Sequence, residues 1–155
     1  MTQRRIGVIS DTHGLLRPEA VAALRGADLI IHAGDIGKAA VLEGLRALAP
    51  VKAVRGNVDW GAWARRLPKT KAFEIDQVGV YLLHDLGELD LVPETSGFKV
   101  FISGHSHQPA IQERNGVLFV NPGSAGPRRF HVPVSLAFLY IEAASVEAKL
   151  VTLDG

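Results

Sequence analysis

The chain contains no cysteine. Disulfides, thiolate metal sites and cysteine nucleophiles are therefore excluded, and a transition metal would have to be held by His, Asp, Glu or Asn. An excess of charge of one sign is also missing. Seventeen Lys and Arg stand against sixteen Asp and Glu, a formal net charge of +1. That offers no basic excess for long nucleic acid or a membrane surface. The N-terminal stretch MTQRRIGVISDTHG carries only a short apolar run before Asp11. It is too short for a signal peptide or a membrane span, so a cytoplasmic location is expected. No linker, low-complexity segment or internal repeat interrupts the chain.

The 155 residues are 47% hydrophobic and 21% charged, the profile of a single globular domain, expected to span residues 1–155. Residues 5–9 (RIGVI), 28–33 (DLIIHA) and 51–54 (VKAV) read as short buried strands. Between them, 18–25 (PEAVAALR) has Pro at its start and Gly26 beyond its end. The stretch 38–48 (KAAVLEGLRAL) spaces Val41, Leu42, Leu45 and Leu48 at helical intervals. This β-α-β-α-β opening predicts a parallel, right-handed, doubly wound unit. The second half is richer in strands. Residues 73–75 and 78–83 flank a turn at Asp76-Gln77, and 100–102 is an apolar run. Residues 110–113 and 117–120 flank the hairpin signal Asn115-Gly116, and 135–141 with 146–153 form a terminal hairpin. The sum is two facing sheets with helices outside.

Polar residues recur just beyond these strands. Asp11 and His13 follow the first, Asp35 the second and Asn57 the third. His84 follows 78–83, His105 and His107 follow 100–102, and residues 121–124 (NPGS) follow 117–120. Ligands of open α/β sheets bind beyond the carboxyl ends of strands, so these groups could meet on one rim. Two carboxylates, four imidazoles and one amide oxygen are too many for one divalent ion and suit two sharing a bridge. Without sulfur, the set favours Mn, Fe, Co, Ni or Zn over Ca or Mg alone. The spacings Asp-x-His and His-x-His place both members on one side of an extended segment. Gly34, Gly56 and Gly104 directly precede proposed ligands and allow crowded backbones. Each signal is weak alone; their joint placement carries the weight. His32, inside a strand, reads as core or as support for the ligands, and His131 fits either a site or a surface loop.

SDTHG, HAGD, RGN, the strand-end His84, GHSH and NPGS, in that order, resemble the calcineurin-like metallophosphoesterases from Ile6 to about Ser124. The small, single-domain phosphodiesterase branch of bacteria and archaea fits the length best. The resemblance implies a four-layer αββα sandwich, two mixed β-sheets flanked by helices, with a dinuclear site at its edge. Carried over, Asp11, His13, Asp35 and His107 hold the first metal. Asp35, Asn57, His84 and His105 hold the second, with Asp35 bridging. Asp35, Asn57 and His84 are then the catalytic residues, and Asn57 also contacts substrate. Residues 121–124 form a structural loop from which Ser124 orients its neighbours.

Many relatives read Gly-Asn-His-Asp/Glu where this chain has Gly56-Asn57-Val58-Asp59. Valine donates no proton, which disfavours poor leaving groups and fits the phosphodiesterase branch; Asp59 is the remaining carboxyl nearby. Two divalent ions bring four positive charges. Asp11 and Asp35 remove two and a bridging hydroxide a third, leaving about +1 to meet a diester's single negative charge. The expected activity is hydrolysis of small phosphodiesters by in-line attack of that hydroxide. The expected cofactors are two divalent ions, manganese first, with Fe, Zn, Ni, Co or Mg as alternatives. The alternative functions are a phosphomonoesterase with the same site, or a non-catalytic protein-binding scaffold of the same fold. Arg55, Arg128 and Arg129 are candidates for phosphate contact. Trp60 and Trp63 could stack a base or aryl ester, or pack in the core or a subunit contact; a homo-oligomer is an open expectation.

Overall fold

In the computed structural model, which describes residues 2–129 and 131–153, the chain runs β1 (Arg4–Ile9), α1 (Pro18–Leu24), β2 (Leu29–His32), α2 (Ala39–Arg46) and β3 (Val51–Ala53). It continues through the short α3 (Ala62–Arg65) to β4 (Thr70–Ile75), β5 (Val78–Leu83), β6 (Val100–Ile102), β7 (Ala110–Arg114), β8 (Val117–Asn121), β9 (Ser135–Glu142) and β10 (Ser145–Thr152). The strands form two five-stranded sheets, ordered β10-β9-β1-β2-β3 and β4-β5-β6-β8-β7. In the first, β1, β2 and β3 are parallel and the β9–β10 hairpin is added antiparallel. In the second, β5, β6 and β8 are parallel between antiparallel edges β4 and β7.

Strand alternation builds the layers. Ile6 and Val8 point between the sheets and join Val80, Leu82, Ile102 and Val120. Ile9, one position out of phase, joins Leu24 of α1 and Leu42 and Leu45 of α2 on the other face. Leu136 and Phe138 face the helices while Ala137 and Leu139 face the second sheet. Gly7 sits where a Cβ would collide with Leu24, so α1 lies directly on β1.

The outer face of the second sheet is covered differently from the first. Tyr81, Phe98, Phe101 and Phe119 gather there with ring centroids 5.3–6.1 Å apart. Such pairs add about 0.5–1.5 kcal/mol each beyond area burial. The covering segment contains two 3₁₀ turns, Leu86–Glu88 and Pro93–Thr95, instead of a long helix. Pro93 and the glycines at 87 and 97 leave it no uninterrupted helical stretch. Strand β4 starts three residues before the expected 73, because the exposed Thr70 and half-buried Lys71 lie on an edge strand and carry no apolar signal.

Six parallel strands, three in each sheet, deliver their following loops to one rim. Asp11 N–H donates to the Gly34 carbonyl (3.0 Å), Gly104 N–H to that of His84 (2.9 Å), and His105 N–H to Asp11 Oδ2 (3.1 Å). Among the described residues, no helix is long and apolar enough to cross a membrane.

Candidate metal centre

The loops that reach this rim turn in an unusual backbone conformation. Asp11, His13, Asp35, His105 and His107 all have positive φ, between +46° and +71°. Each such residue costs about 1–3 kcal/mol, and such positions persist only where surroundings over-determine them. Here the restraint is a ladder of hydrogen bonds between the first two loops: His13 N–H to Asp35 O (2.9 Å) and Gly14 N–H to Ile36 O (2.7 Å). The consequence corrects the extended-segment premise for the His-x-His pair. With both histidines left-handed, His107 turns inward and is buried, while His105 turns out, its side chain 45% exposed and 3.8 Å from Asp85 Oδ2.

Five of the seven expected ligands converge. Asp11 Oδ1 lies 3.3 Å from His107 Nε2, 3.8 Å from His13 Nε2 and 4.0 Å from His84 Nε2. Asp35 Oδ2 lies 3.2 Å from His84 Nε2 and 3.8 Å from His13 Nε2. Two donor sets result, Asp11–His13–His107 and Asp11–Asp35–His84, each with its ligand atoms within 4.8 Å of one another. The atom common to both is on Asp11, whereas the resemblance gives the bridge to Asp35. Asp35 Oδ2 nonetheless sits between an imidazole of each set. Asn57 and His105 stay outside these sets: Asn57 is exposed at the rim, and the His105 ring stands edge-on to His84 with centroids 5.2 Å apart.

The donor chemistry calls for a cation. Nδ1 of His84 is 2.8 Å from the Ala33 carbonyl, which only accepts, so Nδ1 carries the proton. In the neutral ring, the Nε2 lone pair then faces the oxygens of Asp35 and Asp11. Neither His84 Nε2 nor Asp11 Oδ1 has a hydrogen-bond partner, and both are buried. Facing lone pairs in a buried site repel unless a proton or a metal ion lies between them. A carbonyl holding the far nitrogen of a metal-facing imidazole is the usual outer support of such ligands.

The ionisation of these groups agrees. Burial pushes the Asp11 carboxyl up, against the Ser10 hydroxyl bond and the neighbouring imidazoles. Burial acts the same way on Asp35, but contacts with His84, the Val58 amide and the charges of His84 and His13 outweigh it and hold the carboxyl at about 2. Burial would lower His84, yet Asp35, the Ala33 carbonyl and Asp11 raise it above 6.5. A proton on Nε2 thus competes with a metal for this place. Below the raised pKa an ion must displace that proton; above it the ligand is free. Metal affinity should therefore climb with pH by up to about tenfold per unit, with proton release, until the raised pKa is passed, and level off beyond it. Titration calorimetry in buffers of different ionisation enthalpy checks this, and a pH-independent affinity would contradict it.

A layer of buried groups holds the loops in place. His32 Nδ1 accepts from Gly34 N–H (3.1 Å), so Nε2 carries the proton and donates to Thr12 Oγ1 (3.0 Å), whose own hydrogen goes to the Ile36 carbonyl (2.8 Å). Burial, the largest effect, lowers this ring to about 3, and it supports the first two loops as a neutral group. Ser124 Oγ donates to the Asp11 carbonyl (3.0 Å), and Asn121 Nδ2 to the Gly104 carbonyl (3.0 Å), so residues 121–124 do fasten the loops above them. A Cβ at Gly104 would strike Ser10 and Asp11, and one at Gly56 would strike Asp35.

Asp59, the remaining carboxyl near the site, is engaged by backbone amides. Its Oδ2 accepts from Gly56 N–H (2.9 Å) and Ile36 N–H (3.2 Å), and its Oδ1 from Gly37 N–H (2.9 Å). It is a buried clip between the second and third loops, with both oxygens engaged, and supplies no proton to a leaving group. Ser10, bonded to the Asp11 carboxylate, and Thr12, held between the His32 ring and the Ile36 carbonyl, have roles that no local pattern in the sequence marks.

The remaining candidates separate by position. Arg55 and Trp60 line a cavity beside the centre, whereas Trp63, in α3, is partly buried against the core. Arg128, Arg129 and His131 are exposed.

The fold and these buried donor sets define a metal-binding α/β sandwich. Residues 5–144 match the model of the calcineurin-like phosphoesterase superfamily domain. The chain is 39% identical to a protein of Methanothermobacter thermautotrophicus named "Probable metallophosphoesterase", over 94% of this chain and 91% of that one. It is 27% identical to a phosphodiesterase of Methanocaldococcus jannaschii, over 77% and 82%. The crystal structure of Chaetomium thermophilum Vps29 superposes with a TM-score of 0.78 at 21% identity, covering 97% of this chain and 100% of that one. The chain belongs to the calcineurin-like phosphoesterase superfamily.

Proposed function

We propose that this protein hydrolyses small phosphodiesters with two divalent ions, manganese first. The observation that carries the reading is the pair of buried ligand atoms without a hydrogen-bond partner, Asp11 Oδ1 and His84 Nε2, 4.0 Å apart. Asp11, His13, Asp35 and His107 would hold one ion, and Asp35, His84, Asn57 and His105 the other, the last two turning inward from the edge. When bound, the ions neutralise phosphoryl oxygens and lower the pKa of water toward ~7, making it a nucleophile at neutral pH.

The chain's own residues do the rest. His32, Asp59, Ser124 and Asn121 fix the loops so that Asp11, His13, Asp35, His84 and His107 already stand together, and only Asn57 and His105 have to move. Asp59, engaged with three amides, and Val58, which has no proton to give, supply no acid to a leaving group. Substrates with weakly basic leaving groups are favoured as a result. The name of the Methanocaldococcus relative supports the diester. The formal charge of +1 supports short substrates over long nucleic acid.

Matched aryl esters test this. With manganese, kcat/KM for bis(p-nitrophenyl) phosphate should exceed that for p-nitrophenyl phosphate by about tenfold or more, and a chelator should abolish both. A preference for the monoester would overturn the substrate class. Inactivity of the metal-loaded protein on every activated diester, with tight binding to a protein partner, would favour the scaffold reading.

A further inference from the structure

Beside the metal centre lies a cavity of about 770 Å³, within the range that takes a nucleotide-sized group. Asn57 and His84 form part of its wall, so a phosphoryl group held at the ions would open directly into it. Arg55, Trp60, Arg65 and Lys69 line the side built from the segment after β3, where the one carboxylate, Asp59, is engaged by three backbone amides, and Asp85 and Glu88 line the side after β5. Trp60 is 83% exposed. Exposure of an indole is not forced by the local chain, since Trp63, three residues on, packs into the core. Gly61, at φ +100°, makes the turn that separates the two.

We propose that this cavity is a subsite for a nucleoside carrying a phosphate besides the one at the ions; the inference rests on the diesterase reading above. The planar base stacks on the free face of Trp60, which suits any base because each has a π-face. The further phosphate meets Arg55, Arg65 and Lys69. Asp85 and Glu88 repel it from the opposite wall, which leaves one register for the ligand. The preferred substrates are then nucleotide diesters with a neighbouring phosphate, not simple alkyl or aryl diesters.

The test uses turnover of methyl p-nitrophenyl phosphate, too small to fill the subsite, with three competitors: inorganic phosphate, thymidine 5′-phosphate and thymidine 3′,5′-bisphosphate. Each step along that series should inhibit at about tenfold lower concentration, the size expected of one stacked base and one paired phosphate. Trp60→Ala should erase the first step, and Arg65→Ala with Lys69→Ala the second. None of these changes should alter inhibition by inorganic phosphate or turnover of the methyl ester. Saturable quenching of tryptophan fluorescence by the bisphosphate, lost in Trp60→Phe, reads the subsite without any turnover. Inhibition within twofold across the three competitors, equal weakening of all three by Trp60→Ala, or no saturable quenching would overturn the subsite. Failure to hydrolyse the methyl ester, with quenching intact, would instead strike the diesterase reading.

Discussion

Replacing Asp35 with Ala should cost the protein both ions and lower diester hydrolysis on the order of 10³-fold, beyond the 10–100-fold typical of an outer-shell change. The reason is position. Asp35 Oδ2 stands 3.2 Å from His84 Nε2 and 3.8 Å from His13 Nε2, so it borders both donor sets. Removing it takes away one of the two negative charges that two divalent ions would meet, and it also frees His84 from the carboxylate that raises its pKa. The lost bond from Val58 N–H to Asp35 Oδ1 (3.0 Å) should destabilise the fold by about 1.5–3 kcal/mol, less than the ~5–15 kcal/mol typical of a domain, so the variant stays folded. His107→Ala, by contrast, should chiefly weaken the Asp11–His13–His107 set. Metal analysis after gel filtration distinguishes the two: full two-ion occupancy in Asp35→Ala would contradict its shared role.

Asp59→Ala should be the most destabilising change outside the ligands, by about 3–5 kcal/mol in the metal-free protein. Three backbone amides, of Ile36, Gly37 and Gly56, would lose their acceptor in a buried place. Bonds to a charged group contribute about 1.5–3 kcal/mol each, and an orphaned buried donor about 1–3; relaxation and entering water bring the sum below the simple total. The second and third loops would part, and metal affinity should fall by about 10–100-fold even though no ligand has been touched. Urea unfolding under chelator measures the first effect and metal titration the second. A midpoint unchanged from the parent would show that the clip is unnecessary.

Much of this site could be read from the sequence because its ligands sit at strand ends. A short apolar run followed at once by Asp-x-His, Gly-Asp or Gly-Asn marks both the strand and the place where it stops, and a parallel sheet brings such places together. His84 and His107 were legible on the same ground. The His-x-His argument was right about nearness and wrong about direction. It assumed an extended segment, and nothing in HSH announces that both histidines take positive φ, although His is enriched in that region. For Asp59 the sequence leaves an acid and a supporting role both open, and only three dimensions show that its partners include the amides of Ile36 and Gly37 in another loop. The cover of the second sheet was equally hidden. Its aromatic cluster is assembled from three strands and a loop, with no periodicity along any one of them.

The central claim is that loops far apart in sequence gather their donor atoms for a pair of ions, and anomalous diffraction from a manganese-loaded crystal tests it most directly. The account predicts two peaks on the rim, one among Asp11, His13 and His107 and one beside Asp35 and His84, with Asn57 and His105 drawn in. A map with no manganese among these side chains would contradict it.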